Sequence, residues 1–227
     1  MERSSRRRAR TVAGLAALAV TALAPPGAAA TSVCGGLPRC HEVVRVDVNG
    51  DGVRDRVALA RRGADGAESG SVTVRVQVGP GRVVSTTRRT FFWSGGLWQG
   101  AATLDGRPGR ELVVGHAMGA HAEFFWVLTW RAGRLALLRA PGGGADWGVD
   151  GAANDVLGWQ RFTAAPPGQV RHLEGERRAD GRMTGTVTTY RWTSGRWVRE
   201  ARRMVDPLSR ERAGRWVGWH VKGLARY

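Results

Sequence analysis

Lysine is almost missing from this chain. Lys222 is the only one, so nearly all of the positive charge sits on arginine. Cysteine is scarce as well, with only Cys34 and Cys40 present, which excludes a multi-disulfide scaffold and a four-cysteine zinc site. Beyond residues 12–23 no apolar run is long enough to cross a bilayer. After that segment no sustained 3.6-residue period appears, which excludes a helical bundle. Neither a G-x-S-x-G elbow nor a phosphate-cradling G-x-x-x-x-G-K occurs, so two common routes to hydrolysis and nucleotide binding have no motif here. His116, His121 and Glu123 do not follow the H-E-x-x-H or H-x-x-E-H spacing of zinc enzymes, and ordinary turn and strand positions describe them better.

The termini and composition bound what remains. Arg3, Arg6, Arg7, Arg8 and Arg10 precede the apolar segment Val12 to Leu23, and Ala28-Ala29-Ala30 supplies small residues for cleavage. This is the layout of a secretory signal over residues 1–30, with a single mature domain over residues 31–227. The expected location is secreted, with no membrane span in the mature chain. In an oxidising compartment Cys34 and Cys40 are expected to pair and to pin the new N-terminus. Their short loop limits the entropic gain to roughly 2 kcal/mol. The whole chain carries +16, and loss of the signal leaves 30 basic against 18 acidic side chains, or +12. The arginines are scattered, with neither a recognition helix nor a regular basic–aromatic stripe, so sequence-specific nucleic-acid binding is not expected. A solvated basic surface is the plain reading, and attachment to an anionic envelope polymer is the functional one.

What the chain does contain is one informative loop. In Asp47-Val48-Asn49-Gly50-Asp51-Gly52-Val53-Arg54-Asp55, oxygen-bearing side chains occupy the first, third, fifth and ninth positions, with glycine at the sixth. Calcium takes six to eight oxygens at about 2.3–2.6 Å, and alternate positions of a tight loop can converge on it. Asp47, Asn49, Asp51 and Asp55 are the side-chain candidates. Val53 can contribute its carbonyl, and Gly52 allows the sharp turn. An EF-hand needs glutamate at the twelfth position, where this chain has Ala58. The flanks, Val43-Val44 and Val46 before, Val57 and Leu59 after, alternate and are β-branched, so the unit reads as strand, loop, strand. Three carboxylates and one amide suit an affinity on the order of 10⁻⁴ to 10⁻³ M.

Over residues 43–59 this unit resembles the FG-GAP or VCBS repeat of integrin-like β-propellers. The resemblance implies a blade with a calcium ion held by Asp47, Asn49, Asp51, Val53 and Asp55.

The rest of the chain supports a repeat. Hairpins centred on Gly79-Pro80-Gly81, Arg131-Ala132-Gly133 and Thr193-Ser194-Gly195 recur roughly 52 and 62 residues apart, each read as a three-residue turn ending in glycine. Asp105-Gly106-Arg107-Pro108 echoes Asn49-Gly50-Asp51-Gly52, with Glu111 standing for Asp55. Arg107 replaces an oxygen ligand there, so that copy is expected to hold no ion, with the guanidinium pairing to Asp105 or Glu111. A weaker third trace runs from Val149-Asp150 to Asp155. The fold class is therefore all-β: divergent propeller-like repeats of antiparallel strands in about three units, near 41–93, 94–146 and 147–205, with a tail over 206–227. Ordinary closed propellers need four to eight blades, so the alternatives are an incomplete propeller, a compact sandwich or one partner of an assembly.

Ten tryptophans are expected mainly to fill the core. Trp93 and Trp98 flank the Gly-rich Ser94-Gly95-Gly96-Leu97 and are the candidates for stacking on a carbohydrate. Asp146, Asp150, Asp155, Glu174 and Glu176 offer carboxylates for a glycosidase pair, a weak signal in any acidic-residue-containing chain. The expected function is a secreted, calcium-ordered binding or structural module with no chemistry of its own. The alternatives are a secreted hydrolase of polysaccharide or envelope polymer, and arginine-mediated attachment to an anionic polymer.

Overall fold

A computed structural model of the chain describes residues 32–226. The signal proposed over residues 1–30 lies outside the described residues. The protein is built almost wholly of antiparallel strands, arranged as three consecutive four-stranded units. The first comprises β1 (Cys40–Val46), β2 (Asp55–Arg62), β3 (Gly70–Val78) and β4 (Arg82–Thr90), which pair in chain order as a separate sheet. The second comprises β5 (Trp98–Ala102), β6 (Glu111–Met118), β7 (Ala122–Arg131) and β8 (Arg134–Leu137). After β9 (Trp147–Gly151), the third comprises β10 (Asp155–Arg161), β11 (Gln169–Arg177), β12 (Met183–Thr193) and β13 (Arg196–Val205).

Side-chain alternation explains the sheets. On β3, Val72, Val74 and Val76 are buried while Thr73 and Arg75 between them are more exposed. The outermost strands β4 and β13 carry several arginines, with β13 largely exposed and β4 partly so, which discourages a second chain from adding to their free edges.

The hairpins repeat at one place, between the third and fourth strands of each unit. The three-residue turn holds for Gly79 to Gly81, flanked by the Val78–Arg82 pair. It is corrected for the other two. Arg131 pairs directly with Arg134 and Thr193 with Arg196, leaving two-residue turns, Ala132-Gly133 and Ser194-Gly195. All four turn residues have positive φ, at 47° and 78°, then 50° and 80°. That mirror-image turn matches the right-handed twist of the flanking strands, which explains why it displaces a longer loop.

The longer second spacing has a structural cause. The fourth strand of the second unit is split. β8 pairs with the C-terminal end of β7, whereas β9 pairs with its N-terminal end, from Ala122–Asp150 to Phe125–Trp147. Residues 138–146, with Pro141-Gly142-Gly143-Gly144, loop out between them. β9 then turns directly into β10, fusing the second and third units into one ten-stranded sheet.

The tail ties the units together. Ser209 caps α1 (Arg210–Gly214) by accepting the Arg212 N–H. Ala213 and Trp216 fill a small second core with Leu173, Val187 and Leu208. β14 (Gly218–Val221) then runs parallel to β10, and Ala225 donates its N–H to the Gln99 carbonyl of β5 at 2.8 Å. The tail thus bridges the first strands of the second and third units. At the main core, Trp147 packs on Trp159 and Trp219, and Phe125 meets Trp219 edge-on. The Trp147 and Trp159 indole N–H groups are satisfied by the Leu138 and Gly148 carbonyls, each at 2.9 Å.

The start of the described residues is held to the first unit. Cys34 and Cys40 form a disulfide, and Arg75 donates to the Gly35 carbonyl at 2.6 Å. Among the described residues no helix is long and apolar enough to cross a membrane.

Candidate functional site: a carboxylate loop and its counterparts

Residues 47–54 join β1 to β2 and lie on neither a strand nor a helix. Their side chains cap the loop's own backbone. Asp47 accepts the Gly50 N–H on Oδ1 at 2.6 Å and the Gly52 N–H on Oδ2 at 2.9 Å. Asn49 Oδ1 accepts from Asp51 N–H, and Asp51 Oδ1 accepts from Val53 N–H. The Asn49 amide donates to Asp51 Oδ2 at 2.8 Å. Val53 leaves its side chain 60% exposed, so only its backbone is available to the loop interior. Asp55 is 1% exposed. Its Oδ2 accepts the Val48 N–H at 2.9 Å, while Oδ1 is buried and forms no hydrogen bond of normal geometry, the Asn49 N–H acting on the carboxylate only weakly. Burial raises the Asp55 pKa, the Val48 and Asn49 N–H groups oppose that rise, and the charges of Asp51 and Asp47 add to it. Asp51 is shifted the other way, first by the Asn49 amide and then by the Val53 N–H.

The second unit repeats this frame. Val46 pairs with Asp55 across β1 and β2, and Ala102 pairs with Glu111 across β5 and β6, so the two loops have equal length. Leu104 N–H donates to Glu111 Oε2 at 2.6 Å, as Val48 N–H does to Asp55. Arg107 N–H donates to Asp105 Oδ1, as Asp51 N–H does to Asn49. The cation differs from the sequence expectation. Arg131, at the end of β7, forms the ion pair with the fully buried Asp105 carboxylate, and Arg107 contributes only its backbone. No spacing within the loop could reveal this, because Arg131 comes from the end of β7, the strand paired to β6. Glu111 also accepts the Thr129 hydroxyl at 3.1 Å. Burial, and then the neighbouring Asp105 charge, push the Glu111 pKa up to about 7.

The third counterpart is not the trace at Val149 to Asp155, which forms the β9–β10 turn. Residues 162–168, between β10 and β11, occupy the equivalent place and contain no carboxylate. The three loops touch in succession. Arg110 N–H donates to the Asp47 carbonyl at 2.9 Å, and Pro108 lies so close to Gly50 that a Cβ there would stand 2.6 Å from it. Gly106 is packed as closely on Gly168, whose carbonyl accepts the Trp192 N–H.

The charge ledger of the loops is uneven. The second holds two acids and an intramolecular guanidinium, and the third holds no acid. The first holds three carboxylates, and no basic side chain figures among the influences on Asp51 or Asp55. At the hairpin position of Arg131 the first unit has Val78. An orphaned buried carboxylate oxygen and uncompensated acids fit a hard divalent cation in kind. Among the described residues, however, no three His, Cys, Asp or Glu side chains are gathered closely enough to hold a metal. The Asp47 and Asp51 carboxylates are turned onto backbone N–H groups instead, hydrogen bonds that favour their charged form.

No protein-family model matches the chain, and no curated protein or solved structure matches it either.

The remaining sequence candidates are distributed as follows. Trp93 is corrected: it is 4% exposed, meets Phe125 edge-on and donates its indole N–H to the Gly96 carbonyl at 3.2 Å. An indole wedged into the core has no free face for a sugar. Trp98 is half-buried against the same core. His116 stacks on Trp126 and lies 3.0 Å from Asp146 Oδ1, while His121 lies in the β6–β7 turn. Asp150, Asp155, Glu174 and Glu176 do line one hollow of about 400 Å³. The His172 imidazole lowers the Glu174 pKa, the opposite of the rise a general acid needs. Trp192 and Trp197 are half-buried against the main core, as expected of them, and face each other across a hairpin. Their symmetrical placement around Thr193 to Arg196 was the signal for this.

Proposed function

We propose that this protein is an extracellular β-repeat binding module whose first unit is ordered by one calcium ion. Asp47, Asn49, Asp51 and Asp55 supply side-chain oxygens and Val53 a carbonyl, as the likeness to FG-GAP and VCBS repeats implies. The observation that carries this reading is the charge difference between two equivalent loops. The second neutralises its buried acid with Arg131, while the three acids of the first form no ion pair among the described residues, the loop's own Arg54 included. The ion would take the place that the Arg131 guanidinium holds in the second unit. Binding requires the Asn49–Asp51 contact to open and the carboxylates to turn inward. The Cys34–Cys40 disulfide supports an exported location, since such bonds persist in oxidising compartments. Calorimetric titration of residues 31–227 with calcium tests the reading. At about a hundredfold excess over Kd the ion should add about 3 kcal/mol of stability. Absence of both heat and thermal shift would refute it.

A further inference from the structure

A cleft of about 660 Å³ lies between the third unit's terminal hairpin and the loop that interrupts the second unit's fourth strand. We propose that it binds an acidic oligosaccharide, with Trp192, Trp197 and Tyr190 contacting sugar rings and Arg139, Arg196 and Arg199 pairing with the acid groups. This gives the binding-module reading its ligand face, but it does not depend on calcium.

The strand register builds the floor. Trp192 is directly opposite Trp197, Tyr190 is opposite Arg199, and Thr193 is opposite Arg196. Residues two apart on a strand share a face, so Tyr190 with Trp192, and Trp197 with Arg199, converge on the same side. Arg139 stands on the other wall. The Trp197 indole N–H donates to the Arg139 carbonyl at 2.9 Å and locks wall to floor. The volume falls within the range of small-ligand sites.

The charged side chains lining the cleft are all basic, although the Glu174 charge reaches Tyr190 from the neighbouring hollow. No acidic residue lines the cleft. Arg139, Arg196 and Arg199 are exposed and form no ion pair among the described residues, unlike Arg191 on the same hairpin, which pairs with Glu200. Trp192 also encloses its Nε1 with no acceptor. Planar guanidiniums recognise carboxylate or phosphate in bidentate fashion. The two indoles meet at 70° with centroids 5.2 Å apart, forming a corner rather than a parallel stack. A corner accepts the C–H faces and edges of a pyranose. It does not suit the successive stacking of bases along a nucleic-acid strand, which also needs a long basic groove.

The test is titration of residues 31–227, followed by tryptophan fluorescence, with three probes: a short oligouronate, the same oligouronate with its carboxyls methyl-esterified, and a short single-stranded DNA. The oligouronate should bind and weaken with added salt, and esterification should weaken it strongly. Arg139→Gln and Arg199→Gln, both at exposed positions, should each weaken binding by about tenfold. Trp192→Ala should abolish it, with circular dichroism confirming the fold. Asp51→Ala should leave oligouronate binding intact while removing any calcium response, which separates this proposal from the metal reading. Equal binding of the esterified probe, tighter binding of DNA, no binding of any probe, or unchanged affinity in the arginine variants would each overturn it.

Discussion

Glu111→Gln should convert a pH-dependent protein into a less pH-dependent one. Glu111 is 2% exposed, beside Asp105, and its pKa is pushed from an ordinary 4.5 to about 7. Below pH 4.5 the carboxyl is protonated in both folded and unfolded chains and contributes no difference. Between pH 4.5 and 7 the unfolded chain releases the proton while the folded one keeps it, so stability falls as pH rises. Above pH 7 the loss is complete, about 3 kcal/mol for a shift of this size. Glutamine keeps the shape. Its oxygen can accept the Leu104 N–H, and its amide can donate to the Thr129 hydroxyl that now donates to Glu111. The variant should match the parent near pH 4 and exceed it by up to about 3 kcal/mol near pH 8. His116, whose pKa burial pushes down, loses stability in the opposite direction as pH falls, but it is common to both proteins and cancels in the difference. Urea unfolding of both proteins from pH 4 to 8.5 measures that difference directly. A pH-independent difference, or a variant less stable than the parent at pH 8, would refute the reasoning and show that Glu111 is compensated by a cation.

Three further outcomes follow from the same contacts. Asp51→Ala should eliminate the calcium-dependent thermal shift while leaving the ion-free protein close to its parent in stability, because Asp51 is exposed; differential scanning calorimetry with calcium and with chelator reads both. Arg131→Met should cost about 3–5 kcal/mol by leaving the buried Asp105 charge unpaired, and Asp105→Asn in the same chain should restore most of it, as measured by denaturant midpoints. Replacing Cys34 and Cys40 by serine should cost roughly 2 kcal/mol and loosen the segment before β1, seen as faster amide exchange there.

Much of the fold was legible because β-structure writes itself in alternation. Val72, Val74 and Val76, and the glycine-marked hairpins, marked the strands directly. The splitting of the second unit's fourth strand was not legible. β8, residues 138–146 and β9 read as ordinary local segments, and only pairing with the two halves of β7 shows that they are one strand interrupted. The partner of Asp105 was hidden for a similar reason. Arg107 was the near residue in sequence, yet Arg131 is the near residue in space.

By itself the chain's order of residues determined the all-β class, the two-cysteine link and the position of the acidic loop between two strands, because each depends on neighbours a few residues apart. Only the tertiary structure decided which acid has a cation, which tryptophans are sealed and which line a cleft. Those properties arise from contacts between units distant in the chain, where burial and charge depend on what packs against a residue rather than on what precedes it.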